Sequence, residues 1–260
     1  MELFFQFREK NIHYIKEGTG DVLVLIHGFL ETLSMWDEMA VELSKTWKVI
    51  RLDLPGFGKS DCIEDIHSME LFAKCTQQLL LELNIDKFTL IGHSMGGYAG
   101  LELLKICPEK INHFILFHST ANADSEHKKN DRTRAIKTVK DKQNVYLKTA
   151  IPFLFPEQFQ ATCFGYIQKM IEEAKNLHTS GIIAALKGMQ QRKDCNELLK
   201  SLTCRKTYIA GTFDPLLNIA TLRGEASNNE ANFIEMENAG HMSHFECSSE
   251  TINTFLKLLF

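Results

Sequence analysis

Short apolar runs alternate along the first half of the chain with stretches whose apolar positions recur every three to four residues. Val22-Leu23-Val24-Leu25-Ile26 is apolar throughout and stops at His27-Gly28, as a strand buried on both faces would. Trp47–Leu52, Phe88–Ile91 and Ile111–Phe117 read as further strands, and segments 2–8 and 11–16 as an opening antiparallel pair. Between them, Trp36, Met39, Ala40 and Leu43 fall on one helical stripe that Ser34 can cap. Met69, Phe72, Ala73, Thr76, Leu79, Leu80 and Leu83 fall on another, and Tyr98–Cys107 is helical up to Pro108. This β-α-β-α order predicts an α/β fold: a mostly parallel twisted sheet with helices on both faces.

The alternation breaks near Thr120. Residues 121–195 hold no convincing strand but three helical stretches, 131–150, 157–177 and 180–192. Strands resume at Arg205–Ala210 and Asn232–Glu237, and a helix with Ile252, Phe255, Leu256 and Leu259 on one face closes the chain. The expected organisation is a sheet core over 1–120 and 196–260, interrupted by a helical cap over 121–195. The cap follows a strand's C-terminal end, where open α/β sheets place their active sites.

Composition narrows the class of protein. Lys and Arg number 29 against 33 Asp and Glu, a net charge of −4, unlike the basic balance of nucleic-acid binders. The apolar runs fall far short of the ~20 residues of a membrane helix, and Glu2, Arg8, Glu9 and Lys10 leave no secretory h-region. The seven cysteines are scattered, odd in number and without a C-x-x-C pair, so reduced thiols are expected. The expectation is a cytoplasmic globular protein, a monomer or homodimer, that acts on a small molecule without nucleic acid or membrane as partner. No dinucleotide fingerprint, Walker loop or metal-ligand spacing is present, so neither cofactor nor metal is expected.

Candidate chemistry lies at the strand ends. Gly92-His93-Ser94-Met95-Gly96 matches G-x-S-x-G, and it sits directly after one strand and opens a helix. That setting forces the serine into a strained turn with its Oγ exposed. Gly92 and Gly96 are small because a side chain would collide across the bend, and Gly97 lets the helix approach neighbouring backbone. A serine hydroxyl needs a base and an orienting acid, and in a fold with the nucleophile at a strand–turn–helix the expected chain order is Ser, acid, His. Asp214 follows the strand Arg205–Ala210, and His241 follows the strand Asn232–Glu237. His241 is the expected base and Asp214 the expected acid. His244 is an alternative base, Asp124 and Asp53 are alternative acids, and His27, His93 and His118 are expected to be buried structural histidines. The oxyanion hole is expected from the backbone N–H groups of Met95 and Phe29.

The chain resembles α/β-hydrolase-fold enzymes with a helical cap, essentially end to end. The likeness rests on His27-Gly28-Phe29, Asp53-Leu54-Pro55-Gly56-Phe57-Gly58-Lys59-Ser60, Gly92-His93-Ser94-Met95-Gly96-Gly97, Gly211-Thr212-Phe213-Asp214 and Gly240-His241. The resemblance implies a serine hydrolase of esters, thioesters or lactones, with C–C bond hydrolases and lyases as the alternative on the same triad. A non-turnover ligand receptor is a third possibility. Ser94 speaks against the branches that carry Asp at this position, and His93 makes the C–C hydrolases, many of which carry Asn there, less favoured. Selectivity must come from the cap, where Phe153, Phe155 and Phe159 are candidates to line a pocket. The basic run Lys128, Lys129, Arg132, Arg134, Lys137, Lys140 and Lys142 reads first as a solvated helix face, and second as an attractor of anionic substrate.

Overall fold

The alternation resolves into one eight-stranded sheet in the computed structural model, which describes residues 2–259. The antiparallel pair β1 (Glu2–Phe7) and β2 (Lys10–Glu17) opens the chain, followed by β3 (Val22–Ile26), α1 (Asp37–Leu43) and β4 (Lys48–Leu52). Then come α2 (Met69–Glu82), β5 (Phe88–His93), α3 (Met95–Ile106) and β6 (Ile111–Phe117). Five helices follow: α4 (Glu126–Ala150), α5 (Glu157–Gln160), α6 (Phe164–Lys175), α7 (Thr179–Gln191) and α8 (Asn196–Ser201). The chain closes with β7 (Arg205–Gly211), α9 (Ile219–Asn228), β8 (Asn232–Met236), α10 (Ser243–Glu246) and α11 (Ser248–Leu259).

The strand order is β1-β2-β4-β3-β5-β6-β7-β8. Strand β2 runs antiparallel to both neighbours, and all pairs from β4 onward are parallel. The C-terminal ends of β3, β5, β6, β7 and β8 therefore share one edge. The unbroken apolar runs have a simple cause, since each central strand feeds two cores. Leu23, Leu25, Ile91 and Ile115 pack with Trp36, Met39 and Phe255 on one face, while Val24, Ile26, Leu90 and Phe114 pack with Phe72 and Leu103 on the other.

Local chemistry moved several expected boundaries. Thr32, not Ser34, caps the first helical segment: its Oγ1 accepts from Ser34 N at 3.2 Å, and a one-turn 3₁₀ helix, Leu33–Trp36, precedes α1. Helix α4 begins at Glu126, because Ser125 Oγ accepts from Lys128 N at 3.3 Å, and it kinks at Lys142 (φ −150°, ψ 62°). The expected stretch 157–177 divides into α5 and α6. Helices α8, α9 and α10 had no clear apolar stripe and were not anticipated. Helix α7 lies backbone to backbone on the loop after β4, since a Cβ at Gly188 would sit 1.8 Å from His67 O and one at Gly181 2.5 Å from Gly56 O. No described helix is long and apolar enough to cross a membrane.

Candidate active site

Ser94 occupies the single residue between β5 and α3, with φ 48° and ψ −112°. A non-glycine residue persists there only when its surroundings over-determine it. Its N–H donates to Phe117 O at 3.0 Å, and the Ser119 hydroxyl donates to its carbonyl at 2.8 Å. The neighbouring glycines are needed for different reasons. A Cβ at Gly92 would lie 2.5 Å from Gly96 O, across the bend as expected, whereas one at Gly96 would strike Ile26 O at 2.3 Å. The second glycine thus admits β3 rather than the bend. A Cβ at Gly97 would meet the Ser119 side chain, with Oγ 2.2 Å away.

Asp214 and His241 lie on the loops after β7 and β8 and meet directly, with His241 Nδ1 2.8 Å from Asp214 Oδ2. A carboxylate only accepts, so that nitrogen carries the proton and Nε2 is left as a base. Asp214 Oδ1 is occupied by the amides of Leu216 (2.8 Å) and Leu217 (3.1 Å). His118 Nδ1 lies 3.4 Å from Oδ2, and its Nε2 lies 2.7 Å from Ser243 Oγ. The nearby carboxylate favours the tautomer in which His118 Nδ1 holds the proton and Ser243 donates to Nε2, although Gly211 N is also 3.4 Å from Nδ1. Burial works to raise the Asp214 pKa, but His241 and His118 outweigh it and hold the carboxyl well below the usual range. Donor atoms of His118, Asp214 and His241 lie within 4.8 Å of one another, the one such grouping among the described residues that could in principle hold a metal. Its Asp214 oxygens already face two amides and two imidazoles.

The other histidines and acids have separate duties. His93 Nδ1 lies 2.9 Å from Glu31 Oε2, and its Nε2 lies 3.0 Å from His241 O. Both neighbours are acceptors, so the ring is an imidazolium. Burial opposes that charge, but Glu31 overrides it and raises the His93 pKa. The same Glu31 oxygen accepts from Gly28 N at 2.5 Å. One buried ion pair therefore ties the end of β5 to the loops after β3 and β8. His244 is fully buried beside His93 and its pKa is driven well below the ordinary value, first by burial and then by the neighbouring histidines. It does not line the cavity described next. His27 donates through Nδ1 to Gly28 O at 2.7 Å and accepts Leu54 N at Nε2, which holds it neutral. Asp53 is bound by His13 Nδ1 (2.7 Å) and by the amides of Leu33 and Lys59. Asp124 is buried between Arg132 and Arg192.

A cavity of about 400 Å³ opens between the sheet edge and the helices that follow β6, and Ser94, His241 and Phe29 all line it. The Ser94 hydroxyl makes no hydrogen bond to a described residue. Met95 begins α3, so its N–H has no intrahelical acceptor and sits at the positive end of the helix dipole. Of the three cap aromatics expected in the pocket, Phe153 lines it. Phe155 does not: it is 1% exposed and stacks 6.4 Å from Phe245. Phe159 also lies away from the cavity, packed at the edge of the core. The three lie on a tight succession of turns, so neighbours in sequence point to different sides. Sequence reasoning missed Glu31, which no motif marks. It also undervalued His118, whose place directly after β6 was the available signal.

A half-buried serine at a strained strand–helix turn, a carboxylate-bound histidine on the wall of the same cavity and an eight-stranded sheet define the α/β-hydrolase class of architecture. The family model described as alpha/beta hydrolase fold matches residues 21–247. The chain belongs to that family. It is similar to 3-oxoadipate enol-lactonase 1 of Acinetobacter baylyi, 25% identical over 221 residues, 85% of this chain and 82% of the relative. Its structure is similar to an esterase from Thermogutta terrifontis, with a TM-score of 0.92, 26% identity, and 100% of this chain and 98% of that one covered. An uncharacterized Mycobacterium tuberculosis protein is 31% identical over 99 residues, 38% of this chain but only 29% of that protein's length.

Proposed function

We propose that the protein is a serine hydrolase of carboxylic esters or related acyl compounds, working through an acyl-enzyme. The observation that carries this reading is the 2.8 Å bond from His241 Nδ1 to Asp214 on the wall of the same cavity that Ser94 lines. Ser94 Oγ attacks the carbonyl carbon while His241 Nε2 takes its proton. Asp214 stabilises the imidazolium and never takes the proton itself. The N–H groups of Met95 and Phe29 hold the oxyanion. Collapse breaks the bond to the leaving group, which receives the proton from His241. Water, deprotonated by His241, then attacks the acyl-enzyme and restores the Ser94 hydroxyl. The relatives named as an esterase and an enol-lactonase support acyl chemistry.

The test is fluorophosphonate labelling together with turnover of a short p-nitrophenyl ester. Ser94 should be labelled in the wild type, and Ser94→Ala should lose about 10⁴-fold or more in kcat. Full turnover in that variant would sink the reading. Turnover of vinylogous diketones but no ester would replace it with C–C hydrolysis, and saturable binding without labelling or turnover would replace it with a receptor.

A further inference from the structure

We propose that the substrate is itself an anion: an ester or lactone that carries a free carboxylate, received by Arg132 with the Tyr98 and Tyr146 hydroxyls. This rests on the serine-hydrolase reading and names its substrate class.

The argument begins with a charge imbalance. The Asp124 carboxylate is fully buried and faces two guanidinium groups: Arg132 through Nε and, at 3.3 Å, Nη2, and Arg192 through Nη2 at 2.9 Å. Two cations share one anion, so a positive charge is left over. Arg192 is otherwise engaged, with Nη1 on Asn122 O and its guanidinium 3.8 Å above the Tyr98 ring. Arg132 is the one of the two that lines the cavity with Ser94 and His241.

The geometry of Arg132 then specifies the ligand. Asp124 occupies the Nε–Nη2 edge, so the end-on fork of Nη1 and the second Nη2 hydrogen has no partner among the described residues. That fork matches a planar pair of carboxylate oxygens. Tyr98 and Tyr146 also line the cavity, and neither hydroxyl is hydrogen-bonded to a described residue. Burial pushes the Tyr146 phenol up to about 12, so it remains a proton donor. Lys128, loosely bonded to Leu216 O at 3.4 Å, adds a further positive charge to the wall. The single acid on the wall, Asp131, is half-exposed and paired with Arg134 and His127. Elsewhere the lining is apolar, including Leu186, Met189 and Leu217. Donors without acceptors therefore converge in an otherwise apolar chamber, and the one surplus charge of the Asp124 group balances one carboxylate better than a phosphate dianion. Tyr98 follows Ser94 by one turn of α3, about 6 Å of rise, so the acid and the scissile carbonyl are separated by a short chain.

The experiment compares two esters of equal chain length, the p-nitrophenyl hemiester of adipic acid and p-nitrophenyl hexanoate, each corrected for spontaneous hydrolysis. In the wild type kcat/KM should favour the acidic ester by about tenfold or more, given the strength of hydrogen bonds to a charged group. That ratio should fall about 30-fold in Arg132→Gln and about fivefold in Tyr146→Phe. Free adipate should protect Ser94 from fluorophosphonate, and the uncharged hexanamide should not. Tyr146→Phe leaves the Asp124 ion pairs intact, so it keeps the test alive if Arg132→Gln does not fold. A wild type that treats both esters alike, or a ratio unmoved in both variants, overturns the inference and leaves the serine-hydrolase reading standing. If neither ester is turned over and no label is taken up, that reading fails on its own. Calorimetry with adipate then decides the subsite: binding weakened by Tyr146→Phe supports it, and no binding overturns it.

Discussion

Replacing Asp214 by Asn alters one atom and one charge, and the hydrogen bonds around it dictate the outcome. The amide oxygen must take the Oδ1 position, because the N–H groups of Leu216 and Leu217, 2.8 and 3.1 Å away, both require an acceptor. The amide nitrogen then takes the Oδ2 position, 2.8 Å from His241 Nδ1, and presents a hydrogen to a ring nitrogen that had been donating. His241 must move its proton to Nε2, the atom that has to accept from Ser94. His118 Nδ1, 3.4 Å from the same position, adds to the pressure against the original tautomer. The expected loss in kcat is about 10⁴-fold, equivalent to about 5.5 kcal/mol of transition-state stabilisation. Turnover of a short p-nitrophenyl ester between pH 7 and 8 measures it, normalised to folded protein by circular dichroism. The low-field proton resonance of His241 Nδ1 should vanish in parallel. A variant within about tenfold of wild type would refute the assignment, since the wrong tautomer offers Ser94 no base.

Two further outcomes follow from buried carboxyls. Glu31→Ala strips the acceptor from the His93 imidazolium and from Gly28 N, and should destabilise the fold by about 3 kcal/mol or more in urea titrations; a change under about 0.5 kcal/mol would mean that the pair is not ionised. Glu246 has its pKa raised from 4.5 to about 7 by burial, against the amides of Gly240 and Met242, which donate to its oxygens and work to lower it. Its folded form holds a proton that its unfolded form has lost, so its contribution to stability is complete below pH 4.5 and is lost as pH rises through 7. The Tm of the wild type should fall more steeply than that of Glu246→Gln across this window, and parallel profiles would contradict the shift.

Much of the fold was legible because its strands are buried on both faces. The β3 sequence has no polar residue to place at a surface, and the helices between strands carry single apolar stripes. The placing of Ser94, Asp214 and His241 at one sheet edge was legible for a related reason: each lies at or a few residues beyond the C-terminal end of a strand, and parallel strands bring those ends to one edge. Helices α8 and α10 were not legible, being 6 and 4 residues long, too short for a stripe to repeat. The cap aromatics were misjudged in part because Phe153 and Phe155 are both apolar and two residues apart, yet one is 58% and the other 1% exposed. Composition cannot separate them, since the turn at Pro152–Leu154 sets their directions.

The amino-acid sequence by itself determined the sheet, its reading order and the three residues proposed for the chemistry, because periodicity and strand ends are local properties of the chain. Tertiary structure alone decided the buried ion pairs around them. Glu31 reaches His93 across 62 positions, and Asp124 reaches Arg192 across 68. Those separations carry no periodic signal, and only folding brings the charges close enough, in a medium dry enough, to fix one another's protonation. The basic run of α4 shows the difference. Seven cations in sequence read as a solvated face, and it took the packed structure to separate Arg132 and Lys128, which line the cavity, from Arg134, Lys137, Lys140 and Lys142, which face water.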